Sequence, residues 1–284
     1  FLARPGELLT WHSMFMLLTV VVVAFGVSAG LERGTKLMMP ALGLILIVLV
    51  GYAMTTGSFG AALSYLFNPD WSKLDGKVLL AALGHAFFTL SLGMGIMMAY
   101  GSYLGQEVNL LRTARTVVIM DTVFALCAGM AIFPIVFANG LDPAAGPGLV
   151  FVTLPLAFGN MSGGLVIGAL FFLLLTFAAL TSSISLLEPV VELLEERTPL
   201  GRVAATLIAG ITIWALGIAA LLSFNVWADV KLFGMNIFDL LDYATSKFML
   251  PLAGLGAIVF AAWKLDQQGV KAELGLGSAG FGLW

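Results

Sequence analysis

The chain has 284 residues, 60% of them hydrophobic, and a mean hydropathy of +1.04. Charged residues make up 10%, against about 25% in an ordinary soluble domain, which excludes a soluble globular enzyme. A net charge of −3 leaves no basic surface for nucleic acid, and a single cysteine, Cys127, excludes an intrachain disulfide.

A helix needs about 20 residues at 1.5 Å each to cross roughly 30 Å of hydrocarbon. Long intervals without charge therefore predict membrane helices. Taken in chain order they are Ser13–Gly30, Leu37–Thr55, a run between Lys77 and Glu107, Thr116–Ala138, Leu165–Leu187, a run between Arg202 and Asp229, and Ile237–Trp263. The reading is an all-α, polytopic transmembrane helix bundle of about seven spans. Arg33, Lys36, Arg112, Arg115, Arg197, Arg202, Lys264 and Lys271 fall in alternate loops, while the other side holds Arg4, Lys73, Lys77, Lys231 and Lys247. The positive-inside rule then puts the N-terminus outside and the C-terminus in the cytoplasm of a multi-pass cell (inner) membrane protein.

Two connectors are long. Gly57–Gly76 carries the turn signal Asn68-Pro69-Asp70. Asn139–Gly164 holds the apolar stretch Leu149–Phe158, too short to span and following Pro147, so it reads as re-entrant or folded back over the outer face, with an ordinary surface loop as the alternative. The run Glu188–Arg197, EPVVELLEER, reads as a solvated cytoplasmic helix end. Asp239, Asp242 and Lys247 read as a solvated helix start on the outer side.

The third span crowds Thr89, Ser91, Gly93 and Gly95 at its centre. Glycine weakens a helix and hydroxyls compete for backbone groups. Two readings stand: a broken helix whose freed backbone binds something, or close packing through small residues. In the fifth span Ala178, Thr181, Ser182 and Ser185 share one helix face. An oxygen-rich stripe suits a hard cation such as sodium, although such hydroxyls also bond back to their own helix. Asp121 lies in the fourth apolar run, where an in-membrane carboxylate is a functional candidate. His85, one turn before Thr89, reads as the one membrane histidine.

Three segments, HAFFTLSLGMG, AGMAIFPIVFANG with GPGLVFVTLP, and FAALTSSISLLEP, together resemble the neurotransmitter:sodium symporter family in its bacterial amino-acid-transporter branch. The chain is similar to that family's fourth to tenth helices. The resemblance implies part of a five-plus-five inverted repeat. Residues 1–60 would be the last two helices of the first repeat and 61–80 an extracellular loop. Residues 81–264 would be the second repeat, with a broken helix at 88–94 and an extracellular plug at 139–164. Residues 265–284 would hold a cytoplasmic loop and the start of the next helix.

By the same resemblance, Thr89 and Asp121 ligate a first Na+, and Ala178, Thr181 and Ser182 a second. Phe88, Thr89, Ser91, Met94, Ser182 and Leu186 bind substrate, and Asp242 is the acidic member of an outer gate. Asp121 stands where many members carry Asn and can supply the negative charge itself, so no chloride requirement is expected. His85 stands where many carry Gln; a His85–Asp121 pairing would make ion coupling pH-sensitive.

The implied function is sodium-coupled symport of a neutral amino acid, or a related small amine, by alternating access, with no enzyme activity. The family's first three helices have no counterpart in the sequence, so a truncated fragment is expected, each ion site being completed by the first helix. The competing classes are a non-transporting receptor of the same fold and an intramembrane serine hydrolase using Ser182 with His85. No Gly-x-Ser-x-Gly elbow supports the latter. The expected partners are the amino-acid substrate and the lipid bilayer.

Overall fold

The computed structural model describes residues 2–25, 32–55, 58–102, 104–105, 107–141, 143, 148–160 and 162–274. Twelve α-helices occupy these residues: α1 Pro5–Ala24, α2 Glu32–Ala53, α3 Phe59–Phe67, α4 Gly76–Thr89, α5 Ile96–Ser102, α6 Leu110–Ala138, α7 Leu154–Asn160, α8 Gly164–Arg197, α9 Arg202–Leu222, α10 Ile237–Ala244, α11 Leu250–Trp263 and α12 Gln267–Leu274. Among the described residues, five stretches are long and apolar enough to cross a membrane: α1, α6, α8, α9, and α10–α11 joined through a π turn at Thr245–Met249. The second apolar run lies in α2. The third is divided between α4 and α5, and at about 21 Å and 10 Å neither half could cross alone.

Local signals start several of these helices. Asp75 accepts from the Val78 amide at 2.8 Å to cap α4, and Asn236 caps α10 through the Asp239 amide at 2.8 Å. Asn109 accepts from the Arg112 amide at 2.8 Å before α6, and Pro5 opens α1 at a position that needs no donor. The first span thus begins eight residues before the expected Ser13, and it ends, as described, at Ala24; the expected end at Gly30 lies outside the described residues. His12 falls inside α1, which corrects the view of His85 as the one membrane histidine. The connector expected at 57–76 is largely ordered: α3 occupies its start, and Asp70 accepts from the hydroxyl and amide of Ser72 to set a 3₁₀ turn at Trp71–Lys73.

The helices form two compact units, and the chain passes from one to the other within α6, after Val118, and within α8, after Ser182. One contains α2, α3, α6 from Ile119, α7 and α8 up to Ser182. Its core is Ile45, Leu46 and Leu49 of α2, Ile135 and Val136 of α6, and Phe171 of α8. The short segment after Gly148 belongs to that core, since Leu154, Ala157 and Phe158 are buried and the Phe158 ring meets Phe171 at 5.6 Å. Burial of these three residues removes apolar surface that water would otherwise touch.

The other unit contains α1, α4, α5, the start of α6, α8 from Ser183, and α9 to α12. Glycines let α1 and α9 approach closely: Gly210 faces Val20, and Gly217 faces the His12 ring. His12 Nε2 donates to the Trp214 carbonyl at 3.1 Å, and Trp214 Nε1 donates to Ser13 Oγ at 3.0 Å. Buried Thr19 shares a 2.9 Å hydrogen bond with Ser183 of α8. Deeper along the same helices, Arg202 Nη2 donates to both Glu188 oxygens, at 2.8 and 2.6 Å. The same guanidinium reaches Glu195 at 3.3 Å and the Val23 carbonyl, near the end of α1, at 3.0 Å. The solvated reading of Glu188–Arg197 is therefore corrected at Glu188, whose side chain is 0% exposed. A carboxylate enters such a site when a charged donor that reaches both its oxygens replaces its water.

Candidate functional site

α4 stops at Thr89 in a Schellman arrangement: the Leu92 amide bonds back to Phe87 O at 2.8 Å and the Ser91 amide to Phe88 O at 3.1 Å. This turn needs a left-handed residue, and Ser91 supplies it at φ 55° where glycine is usual. Backbone bonding then lapses until the Ala99 amide reaches Gly95 O at 2.9 Å. The carbonyls of residues 89–94 and the amides of residues 93–98 have no backbone partner among the described residues. In a membrane such groups are tolerated only beside a cavity, water or a ligand. The break covers residues 90–95.

The same segment is also closely packed. Gly93 has φ 80°, and a Cβ there would lie 2.9 Å from Leu250 O and 3.1 Å from Gly254 N. Gly84 abuts the Ser246 carbonyl, and Gly254 accommodates the Phe87 ring. Small residues thus seat the break against α11, while the unpaired backbone remains available for a ligand. α5 is docked onto α8 by a 2.6 Å hydrogen bond between Tyr100 and Ser185, and Gly95 sits beside Pro189. A groove of about 470 Å³ between α5 and α8 is lined by Met94, Met98, Pro189 and Leu193, with Glu192 and Glu196.

The expected substrate residues on the break share one unit. Phe88 is 53% exposed, Thr89, Ser91 and Met94 are half-buried, and Leu186 on α8 is 48% exposed. Ser182, one turn before Leu186, is exposed on the same face of α8. Thr89 Oγ1 donates to Ala86 O at the long distance of 3.5 Å. Thr181 is buried, and its hydroxyl lies 3.0 Å from Phe177 O and 2.9 Å from Ala178 O. This back-bonding gathers hydroxyl and carbonyl oxygens at one turn of α8, the donor set that a hard monovalent cation uses.

Asp121 sits on α6 in the other unit, half-buried, and its side chain has no hydrogen bond or ion pair among the described residues. His85 is exposed on α4. Asp242, exposed on α10, accepts from Ser246 Oγ at 3.2 Å and makes no ion pair among the described residues. Three or more His, Cys, Asp or Glu side chains gathered as for a transition metal do not occur among the described residues.

The profile of the sodium:neurotransmitter symporter family matches residues 2–274. The chain belongs to this family. Among curated proteins, an uncharacterized sodium-dependent transporter of Bacillus subtilis, YhdH, is 37% identical over 97% of this chain and 61% of its own length. One from Haemophilus influenzae is 35% identical over 94% of this chain and 59% of its own. The crystal structure of MhsT in complex with L-phenylalanine matches with a TM-score of 0.92 and 44% identity, over 98% of this chain and 64% of that one. The chain thus spans about three-fifths of the length of these relatives. Both curated relatives are named as sodium-dependent transporters.

Motif reading missed the Glu188–Arg202 cluster. The Arg202–Glu188 pair joins α8 to α9 across a short turn, while the Val23 contact joins residues 179 apart in sequence. An acid within an acidic run carries no sequence signal of burial, although Arg202 opening an apolar span is a hint. A positive charge at a helix N-terminus opposes the helix dipole, and a paired carboxylate offsets that.

Proposed function

We propose that this chain is part of a sodium-coupled symporter for a neutral, apolar amino acid, working by alternating access and without chloride. The break at residues 90–95, with its unpartnered carbonyls and amides, is the observation that supports it most directly. Amides and the α4 and α5 helix ends suit the carboxylate and ammonium of an amino acid, and free carbonyls suit sodium. Phe88, Met94 and Leu186 offer apolar surface to the side chain, and Ser91 and Ser182 offer hydroxyls. The likeness to MhsT, whose crystal structure holds L-phenylalanine, favours an aromatic or aliphatic substrate.

By motif, Thr89 and Asp121 contribute to the first sodium, and Ala178, Thr181 and Ser182 to the second. Asp121 brings its own negative charge and makes chloride unnecessary. By the same likeness, Asp242 is the acid of an outer gate. The remaining family helices complete both ion sites. The repeat architecture is five plus five, with the N-terminal side of this chain outside the inner membrane and its C-terminal side in the cytoplasm. Two sodium ions per neutral amino acid would draw about 2.3 kcal/mol per charge from each 100 mV of potential.

Uptake of labelled phenylalanine and leucine by the full-length transporter in proteoliposomes tests this. Uptake should require an inward sodium gradient and persist when chloride is replaced by gluconate. Uptake indifferent to sodium would overturn the symporter; loss of uptake in gluconate would overturn chloride independence alone.

A further inference from the structure

The connector between α9 and α10 contains an unusual turn. Leu232 and Met235 pair through two backbone hydrogen bonds, 2.9 and 3.0 Å, around Phe233 at φ 55° and Gly234 at φ 80°. Such a mirror-image hairpin turn favours Asn, Asp or Gly at its first central position, and a bulky residue there is an outlier. Phe233 occupies it nonetheless and is 92% exposed. Val226 and Leu232 are 66% and 52% exposed, and Val230 is also open. Lys231 flanks the tip and is exposed. A water-facing loop has no use for so much apolar surface.

The level of this hairpin relative to the membrane follows from its supports. α9 is 21 residues long, about 32 Å, close to the thickness of the hydrocarbon, so its end at Leu222 lies near a boundary. Just past that end, Ser223 Oγ accepts from the Phe238 amide at 3.3 Å, and Asn225 Nδ2 donates to Leu2 O at 3.2 Å. The beginnings of α1 and α10 therefore lie at the level where α9 ends. The Phe224 and Phe238 rings meet there at a tilt, with centroids 5.0 Å apart, and the Trp227 amide bonds back to Leu222 O at 2.8 Å. The hairpin stands on a pinned base a few residues from lipid.

We propose that the hairpin tip, residues 230–235, forms an interfacial anchor that places Phe233 at the headgroup–acyl boundary of the leaflet where α9 ends. Aromatic rings favour that zone, and Lys231 reaches from it toward anionic headgroups. The left-handed conformation at Phe233 turns the ring out of the hairpin, where it is 92% exposed. The partner is the bilayer itself, which the chain already enters on both sides of the hairpin.

The test is a nitroxide at Phe233→Cys, compared with one at Asp229→Cys, in a cysteine-free background of the full-length protein. The protein is reconstituted in phosphatidylethanolamine–phosphatidylglycerol vesicles. The label at 233 should be at least severalfold more accessible to dissolved oxygen relative to a water-soluble nickel chelate than the label at 229. Equal nickel accessibility at the two positions would mean a solvated loop and overturn the anchor. A label at 233 immobilised and shielded from both reagents would mean burial under protein and overturn it equally.

Discussion

Glu188 is fully buried on α8, and both of its carboxylate oxygens are held by one guanidinium nitrogen of Arg202. Arg202 also satisfies the Val23 carbonyl, so one side chain fastens the ends of α1 and α8 to the start of α9. Removing one partner of such a pair leaves the other buried without compensation. Glu188→Ala should cost about 3 kcal/mol in unfolding free energy, the low end of the range because Arg202 is partly exposed. Pairing Glu188→Leu with Arg202→Leu should restore much of that. Thermal unfolding of the purified variants in detergent measures both, and a double variant no better than the single one would deny the coupling.

Gly93 and Gly95 both have positive φ but differ in room. Gly93→Ala meets Leu250 O at 2.9 Å, whereas Gly95→Ala has Pro189 at an ordinary 3.5 Å. Strain plus overpacking should make the first cost about 3 kcal/mol and the second about 1 kcal/mol. Equal melting temperatures for the two would contradict the tight seat of Gly93 on α11.

Ser91 adopts the left-handed conformation at which glycine is the easier residue. Ser91→Gly should therefore stabilise the fold by about 1 kcal/mol in the absence of substrate. If the hydroxyl also contacts substrate, the same variant should bind the amino acid more weakly. Scintillation proximity binding and thermal unfolding, run side by side, separate the two effects.

Thr181→Val keeps the shape of the side chain and removes its bonds to Phe177 and Ala178 carbonyls. Stability should change by no more than about 1 kcal/mol. Sodium affinity should fall about tenfold if the hydroxyl is a ligand, equivalent to 1.4 kcal/mol. Thr181→Ser should retain near-normal sodium dependence, and an unchanged sodium response in Thr181→Val would remove this residue from the ion site.

Asp121→Asn keeps an oxygen and removes a charge. Uptake by the variant should need more sodium, and chloride should partly restore it. A sodium titration with and without chloride reads this directly, and a variant indistinguishable from the parent would end the role proposed for Asp121.

Much of the architecture was legible in the residue order, because hydrocarbon thickness imposes a length and the scarcity of charge marks where each helix lies. The crowding of Thr89, Ser91, Gly93 and Gly95 pointed to the middle of the third span for a similarly local reason: helix propensity is a property of adjacent residues. The motif likeness then led to the family. What residue order left open at that span was whether the glycines break the helix or pack it, and the structure has them doing both. Gly93 permits the left-handed backbone and also admits the Leu250 carbonyl.

By itself, then, the sequence determined a membrane-embedded, all-helical chain with its polar oddities at Thr89, Asp121 and Thr181, since composition and spacing are readable one segment at a time. Only the tertiary structure decided that Glu188, in a run that reads as solvated, is wholly buried, and that His12 lies inside a membrane helix against Trp214. A side chain's environment is set by what other segments bring to it. Arg202 and the end of α1 reach Glu188 through folding, and no pattern within EPVVELLEER records their arrival.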